Sequence, residues 1–379
     1  MRRSLAMGML VASLVVAACT GGGGATSTPA VTVAPTPVPA TAAPTAAATA
    51  APTAAATPAA SATAAAIELP PAELSSIKIG ISTLDPDSFL MKWAQDSGAF
   101  KKYGLDAEVS FFDGQAVATA LHARQIDIAN NTVTQAILAL LTPDPVVEIA
   151  ITTNGFRDIL FSSPDVATGE QLKGKRVAIS QFGGQSHAEV VVALKSLGLT
   201  PEDVEITQIG GQSARLAALQ SGNVQAAPAD PGNETELVAA GLHPLVRLEE
   251  STVPFAGSDV EVLREWLTKN PNTALRVVAA VLEAQQTLYS QSDAVVASYA
   301  AWAQLSAAEA ADTLSVFLAS PVGQRDLRWT KEGFENNIPV LVTINPDIAS
   351  ADVTQAYDIS LLDKLKDMGF NHAIGVPGY

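Results

Sequence analysis

The chain has 379 residues, with 22 Lys and Arg against 38 Asp and Glu and a formal net charge of −16. Before Glu68 the only charged side chains are Arg2 and Arg3, so the 313 residues from Ile67 onward carry −18 and are long enough for two domain cores. This acidic body has no cluster of Lys and Arg with which to contact phosphates, which argues against nucleic acid or an anionic membrane as a partner surface.

Met1 to Cys19 reads MRRSLAMGMLVASLVVAAC: two arginines, 14 uncharged and mostly apolar residues from Leu5 to Ala18, then a cysteine. Fourteen residues fall short of the roughly 20 that a bilayer core of about 30 Å requires, so an export signal fits better than a spanning helix. Cys19 is the only cysteine, which leaves no internal disulfide and no thiolate metal cluster. Val16-Ala17-Ala18-Cys19 resembles a bacterial lipoprotein signal, in which the cysteine is lipidated and becomes the mature N-terminus. The alternative is an ordinary secretory signal with an incidental cysteine.

Thr20 to Ala66 holds 20 Ala, 11 Thr, 7 Pro and 4 Gly, with no charge and no aromatic side chain. It cannot build a core, and its prolines interrupt every alanine run that would favour helix. Residues 20–66 are therefore expected to be a disordered stalk, spanning roughly 35 to 40 Å as a coil and at most about 145 Å as polyproline II.

The body is organised by a weak repeat. Lys78-Ile79-Gly80-Ile81-Ser82 is echoed 98 residues later by Arg176-Val177-Ala178-Ile179-Ser180. Each is followed by a helix-length segment ending at Gly104-Leu105 or Gly198-Leu199, then by a second strand, Ala107 to Phe112 or Val204 to Ile209. Asp113-Gly114-Gln115-Ala116 answers Gly210-Gly211-Gln212-Ser213 ahead of another helix, and the third strands are Ile126 to Ala129 and Val224 to Ala227. Two copies of strand, helix, strand, helix, strand predict two α/β lobes with parallel sheets and a ligand crevice at the carboxyl ends of the strands. Beyond Asp259 the periodicity predicts helices over Val260 to Thr268, Asn272 to Tyr289, Ala294 to Leu305, Ala307 to Leu318 and Asp352 to Met368.

Several stretches, weak singly and fairly specific together, resemble a known family: Trp93 to Asp113, Gln125 to Ala129, Leu172 to Val177, Gly210 to Asn223 and Trp266 to Pro271. The family is that of the substrate-binding proteins of ABC importers, in the nitrate/sulfonate/taurine and thiamine-precursor branch. The resemblance runs from about Ile77 to Phe370. It implies an α/β, bilobed periplasmic-binding-protein fold of type II, with two parallel or mixed sheets, helices on both faces and the ligand cleft between lobes. It also implies that residues 77–166 and 259–379 form one lobe and 167–258 the other, with crossings near Pro164 to Gly169 and Thr252 to Ser258.

The positions matching the family's ligand loops are Ser82, Thr83, Asp85, Asp87 and Phe89; Asp113 and Gln115; Asn130, Asn131 and Thr132; Asn154; Gln181, Phe182, Gly183, Gly184, Gln185, Ser186 and His187; and Asp230. The turn at Gly183 to Ser186 precedes a helix, so its N–H groups could point into the cleft and bind an oxygen-bearing group, or it could serve only as a cap. Asn130 to Thr132 and the four aspartates carry both a ligand reading and a plain turn reading. Phe89, Phe156, Phe182 and Phe255 could stack on a flat ring or pack beneath their loops; Phe182 is the best placed. Arg157 is the only arginine near a first-lobe strand end, and this scarcity of cations favours a neutral or amine-bearing heterocycle over a sulfonate or nitrate.

No histidines share metal-ligand spacing, no cofactor motif is present, and no G-x-S-x-G, H-E-x-x-H or Walker loop occurs. The expectation is a non-enzymatic, monomeric, extracytoplasmic lipoprotein, tethered to the membrane at Cys19, that captures a small organic solute and delivers it to an ABC permease with its ATPase. One alternative is an enzyme like the thiamine-pyrimidine synthases, against which the lack of body cysteines counts. The other is a ligand-sensing module read by a membrane receptor.

Overall fold

The computed structural model describes residues 67–112 and 116–379; Cys19, the export signal, the stalk, Asp113 and Gln115 lie outside the described residues. The strands are β1 (Ser76–Ile81), β2 (Asp106–Phe111), β3 (Ile128–Asn130), β4 (Val146–Ile151) and β5 (Ile159–Ser162). They continue with β6 (Arg176–Ile179), β7 (Glu205–Gln208), β8 (Ala226–Ala229), β9 (His243–Arg247) and β10 (Asp259–Leu263). They form two five-stranded sheets, in the orders β2-β1-β3-β10-β4 and β7-β6-β8-β5-β9.

The repeat appears as matching halves of these sheets. β1 pairs in parallel with β2, from Ser76 opposite Asp106 to Ile81 opposite Phe111, and with β3; β6 pairs in parallel with β7 and β8. Each triplet is then extended by a reversed strand, β10 beside β3 or β5 beside β8, and closed by β4 or β9. Period-two burial drives the pairing: Ile77, Ile79 and Ile81 of β1 are all inaccessible to solvent. In the second sheet both faces are apolar. Val177, Ile179 and Leu160 pack with the helix Gln185–Ser196, whereas Ala178, Ile159 and Phe161 pack with Leu219 and Leu237 on the opposite side.

Strand pairing moves one expected crossing. Ile159–Ser162 hydrogen-bonds to β8 and β9, so the chain enters the second sheet before Ile159 rather than near Pro164 to Gly169. It returns between Arg247 and Asp259. The expected helix over Val260 to Thr268 is instead β10 followed by the short helix Arg264–Lys269. Val260 and Val262 alternate with polar neighbours and fill the gap between β3 and β4, and that sheet position overrides a helical reading. The expected helix over Asp352 to Met368 is also broken. Tyr357 bridges to Glu148 and Asp358 N–H donates to the Glu148 carbonyl, so only Ser360–Asp367 is α-helical, after a 3₁₀ turn at Val353–Ala356.

The 18-residue helix Pro271–Leu288 runs through the first lobe's core, with a proline at its first position. Its start is tied to the beginning of the body. Glu73 accepts from the Thr273 N–H (2.7 Å) and the Asn272 N–H (3.1 Å), and Arg276 donates to the carbonyls of Leu69 and Pro70. Among the described residues no helix is long and apolar enough to cross a membrane.

Candidate functional site

Four strands end in loops that lead directly into helices or turns: β1 into Ser82 to Asp85, β3 into Asn131 and Thr132, β6 into Ser180 to Gly184, and β8 into Asp230. The crossing segments join them. Thr152 N–H donates to the Ser258 carbonyl (2.9 Å), Gly257 N–H to the Thr153 carbonyl (3.1 Å), and Asn154 forms a bridge with Ala256. Val133 N–H also donates to the Gly257 carbonyl (3.0 Å), tying the crossing to the helix Val133–Ala139.

Arg157, on the first crossing, is the centre of this region. Its Nη1 lies 3.6 Å from Asp87 Oδ1 on the first lobe and 3.7 Å from Asp230 Oδ2 on the second, and its Nε lies 3.9 Å from Asp158 Oδ1. The guanidinium carbon sits 5.4 Å from the ring centroid of Phe317. Burial works against the arginine's charge, but the carboxylates of Asp87, Asp85, Asp158 and Asp230 outweigh it and raise its pKa. Burial pushes Asp87 up to about 7; Arg157 partly offsets this, while Asp85 and Asp158 add to it. Ser258 Oγ donates to Asp87 Oδ2 at 3.3 Å.

Behind Asp158 lie Glu189 and Arg215, which are 1% and 6% exposed. Burial, with Asp158 nearby, raises the Glu189 carboxyl well above its usual range, and burial lowers Arg215 against the pull of Asp158 and Glu189. Gln185 Nε2 donates to Glu189 Oε1 (3.2 Å) and the Glu189 carboxyl hydrogen-bonds Asp158, while Asp87 Oδ1 and Arg157 Nη1 are buried without hydrogen-bond partners. The Arg157 contacts exceed the usual N–H···O range of about 2.7–3.2 Å, so they are electrostatic rather than hydrogen-bonded. Among the described residues no group of three or more His, Cys, Asp or Glu side chains is placed to hold a metal ion.

The turn after β6 uses three of its N–H groups internally. Gly183 N–H donates to His187 Nδ1 (3.2 Å), Gly184 N–H to the Gln181 carbonyl (3.2 Å) and Phe182 N–H to Gln208 Oε1 (3.4 Å). These bonds correct the expectation that Gly183 and Gly184 aim their N–H groups at a ligand oxygen. Ser186 Oγ accepts from Ser180 N–H at 2.7 Å, so it too shapes the turn. Burial lowers the His187 pKa to about 4, consistent with a neutral ring that accepts at Nδ1. Phe182 is 45% exposed and stands edge-on to His187, with ring centroids 5.2 Å apart. Gly183 has φ +76°, and a Cβ there would lie 3.3 Å from Ile344 Cδ1 and 3.6 Å from Leu138 Cδ1, so this turn touches the first lobe.

Other expected positions divide by their surroundings. Phe89 is fully buried among Tyr299, Trp302 and Trp93, because the helix Pro86–Asp96 begins early enough to turn it into the core; it is corrected from ligand contact to packing. Phe156 and Phe255 stack on each other at 4.4 Å. Thr83 Oγ1 donates to Asp85 Oδ1 (3.0 Å), Ser82 is half-buried beside it, and Thr132 shares a hydrogen bond with Thr134 (2.8 Å). Asn130 and Asn131 are buried, and Asn131 Nδ2 donates to Glu261 Oε1 at 3.2 Å. Asn154 Oδ1 is buried near Gly333. Asp230 combines both of its readings: Oδ1 accepts from Gly232 N–H (2.8 Å) in the turn while Oδ2 faces Arg157. Asp158, Glu189, Arg215, Tyr299 and Phe317 were missed. The one sequence signal for Glu189 was a lone charge inside the apolar helix run His187 to Leu194.

The NMT1-like family matches the chain over residues 70–304. No curated protein sequence matches it. Among solved structures, a protein of Bordetella bronchiseptica RB50 superposes with a TM-score of 0.64 and 16% identity, covering 79% of this chain and 99% of that one. The periplasmic aliphatic sulphonate-binding protein SsuA of Escherichia coli gives 0.60 and 22%, covering 75% and 92%. The periplasmic nitrate-binding protein NrtA of Synechocystis PCC 6803 gives 0.63 and 15%, covering 81% and 92%. At these identities the structural likeness establishes the bilobed fold.

Proposed function

Since the chain belongs to the NMT1-like family, we propose that it is an extracytoplasmic solute-binding protein that captures a small organic solute between its lobes and delivers it to an ABC permease with its ATPase. In this reading Cys19 carries a lipid anchor and residues 20–66 are the tether. The observation that carries the proposal is the meeting of Asp87 from one lobe and Asp230 from the other at Arg157, beside the two paired crossings. Such an arrangement lets one bound group contact both lobes, so that binding shifts the population between open and closed forms. SsuA and NrtA, which share the fold, are named as binders of sulphonate and nitrate, and this supports capture of a small solute.

The proposal is capture without turnover. Mass spectrometry of solute co-purifying with the intact protein, followed by calorimetry with that solute, tests it. Binding well below millimolar, with the solute released unchanged, supports it. A transformed product, or the absence of any co-purifying or bound solute, overturns it.

A further inference from the structure

This inference concerns how the lobes move and goes beyond solute capture. We propose that Glu189 and Asp158 share one proton in a buried bond that pins the first crossing to the second lobe, and that losing this proton as pH rises frees the crossing and lets the lobes part.

Position is the first argument. Asp158 closes the first crossing: Phe156, two residues earlier, stacks on Phe255 of the second crossing, and β5 begins at Ile159. The Leu248 N–H, at the start of the return, donates to the Asp158 carbonyl (3.1 Å). Glu189 lies on the helix Gln185–Ser196, one turn beyond Gln185, whose Nε2 donates to Glu189 Oε1 (3.2 Å). Gln185 in turn reaches the second crossing, since a Cβ on Gly257 would lie 3.4 Å from its Oε1. One face of this helix therefore touches both crossings, through the Glu189 carboxyl and the Gln185 amide.

The second argument is the bond itself. Glu189 is 1% exposed and Asp158 7%, and their carboxyl groups are hydrogen-bonded to each other. Ionised carboxylates only accept, so a bond between two of them requires that one keep its proton. The charged neighbours do not remove that need. Arg215, from the helix Gln212–Gln220, gives Nη1 to the Gly210 carbonyl (2.9 Å) and Nη2 to the Pro228 carbonyl (3.4 Å), with Nε buried and unpartnered. Arg157 Nε stands 3.9 Å from Asp158 Oδ1, while its Nη1 faces Asp87 and Asp230. The carboxyls of Asp87, Asp158, Asp230 and Glu189 thus meet only these two guanidinium groups. His187, on the same helix, is neutral because burial lowers its pKa to about 4, and the helix Ile338–Val342 packed beside it carries no charged side chain.

The third argument is the sign of the pH response. Burial first, then Asp158, raises the Glu189 carboxyl well above the ordinary range. The folded chain therefore holds this proton more tightly than the unfolded one, so the bond is complete in the ordinary carboxylate range and is lost as pH rises through the raised value. Past that point two adjacent buried carboxylates repel and draw in water, and the crossing is released from the helix.

Amide exchange of the full chain, read by mass spectrometry from pH 6 to 10 and corrected for the intrinsic rate, makes the test. Protection over residues 153–158 and 253–258 is expected to fall about tenfold in the wild type as pH rises, with a matching increase in radius of gyration by solution scattering. Glu189→Gln offers an amide N–H to Asp158 at every pH, and Asp158→Asn offers one to Glu189, so both should keep the crossings protected across the range. Glu189→Ala, which has no bridge, should be unprotected throughout; thermal melting checks folding, and the two amide variants carry the test alone if Glu189→Ala does not fold. In infrared difference spectra at pH 7, Glu189→Gln should lack one protonated-carboxyl band that the wild type shows. Wild-type protection that does not change with pH, an amide variant that keeps the wild-type response, or the absence of that band from the difference spectrum overturns the shared proton. These readouts involve no solute, so such a result leaves solute capture standing.

Discussion

The rings of Phe156 and Phe255 lie 4.4 Å apart between centroids, one on each of the two crossings, and each is 1% exposed. They belong to the second lobe's core, where Val340 from the C-terminal segment also packs. Asn336 and Asn337 Nδ2 atoms donate to the carbonyls of Pro254 and Ala256, so the second crossing is held by side-chain bonds as well as by the ring contact. The pivot between the lobes is consequently a packed element and not a loose tether.

Phe255→Ala removes one ring of this pair and leaves a cavity against the other. The expected cost is about 3–5 kcal/mol in urea unfolding, the usual range for a buried phenylalanine. A loss below about 1 kcal/mol would mean that the crossing does not share the core. In solution scattering the variant should show a broader distribution of shapes than wild type, because the ring contact limits how the crossings move past each other.

The legibility of this fold follows the repeat. β1, β2 and β3, and likewise β6, β7 and β8, are successive in sequence and are separated by helix-length segments, so local pattern is enough to find them. β5 and β10 are reversed strands, each placed in its sheet beside strands distant in sequence, and that placement has no local signal. DVEVLREWL satisfies both a period of two and a helical spacing, and only the gap between β3 and β4 decides between them. In the site, Asp87 and Asp230 were legible as loop carboxylates after strands. The neutralisation of Arg157 was not, because it depends on distances between residues 70 positions or more apart as well as on its neighbour Asp158.

The junction at Glu73 should behave as a helix cap supplied from a distance. Glu73→Ala leaves the N–H groups of Asn272 and Thr273 without that acceptor, at an exposed site, for an expected loss of about 1 kcal/mol. Hydrogen exchange read by mass spectrometry should show faster exchange at the start of the helix Pro271–Leu288 and little change in the second lobe. Unaltered exchange there would show that water replaces the carboxylate without cost.

Gly183 offers a way to separate folding from closure. Its φ of +76° disfavours any L side chain by roughly 1–2 kcal/mol, and an added methyl group would crowd Ile344 Cδ1 at 3.3 Å. Gly183→Ala is therefore expected to lose about that much stability while weakening binding of a co-purified solute more than tenfold, since the contact it crowds joins the lobes. Unchanged affinity would place this contact outside the closure motion.

Asp87 and His187 should give opposite pH dependences over nearly the same range. The Asp87 carboxyl, raised from 3.8 to about 7 by burial, holds its proton more tightly in the folded protein, so its contribution is full below about pH 4 and is lost as pH rises through 7, by up to about 4 kcal/mol. His187, lowered from 6.5 to about 4 by burial, contributes fully above pH 6.5 and loses up to about 3 kcal/mol as pH falls towards 4, where a proton on Nδ1 would displace the Gly183 N–H. Denaturant unfolding at pH 4, 5, 6 and 7 reads both. Asp87→Asn removes the falling component, so its stability should rise with pH more steeply than that of wild type. His187→Gln removes the rising component, so its stability should fall relative to wild type between pH 4 and 6.5. If both variants keep the wild-type slope, neither group titrates differently in the folded and unfolded chains, and the burial argument for the cleft's protonation states fails.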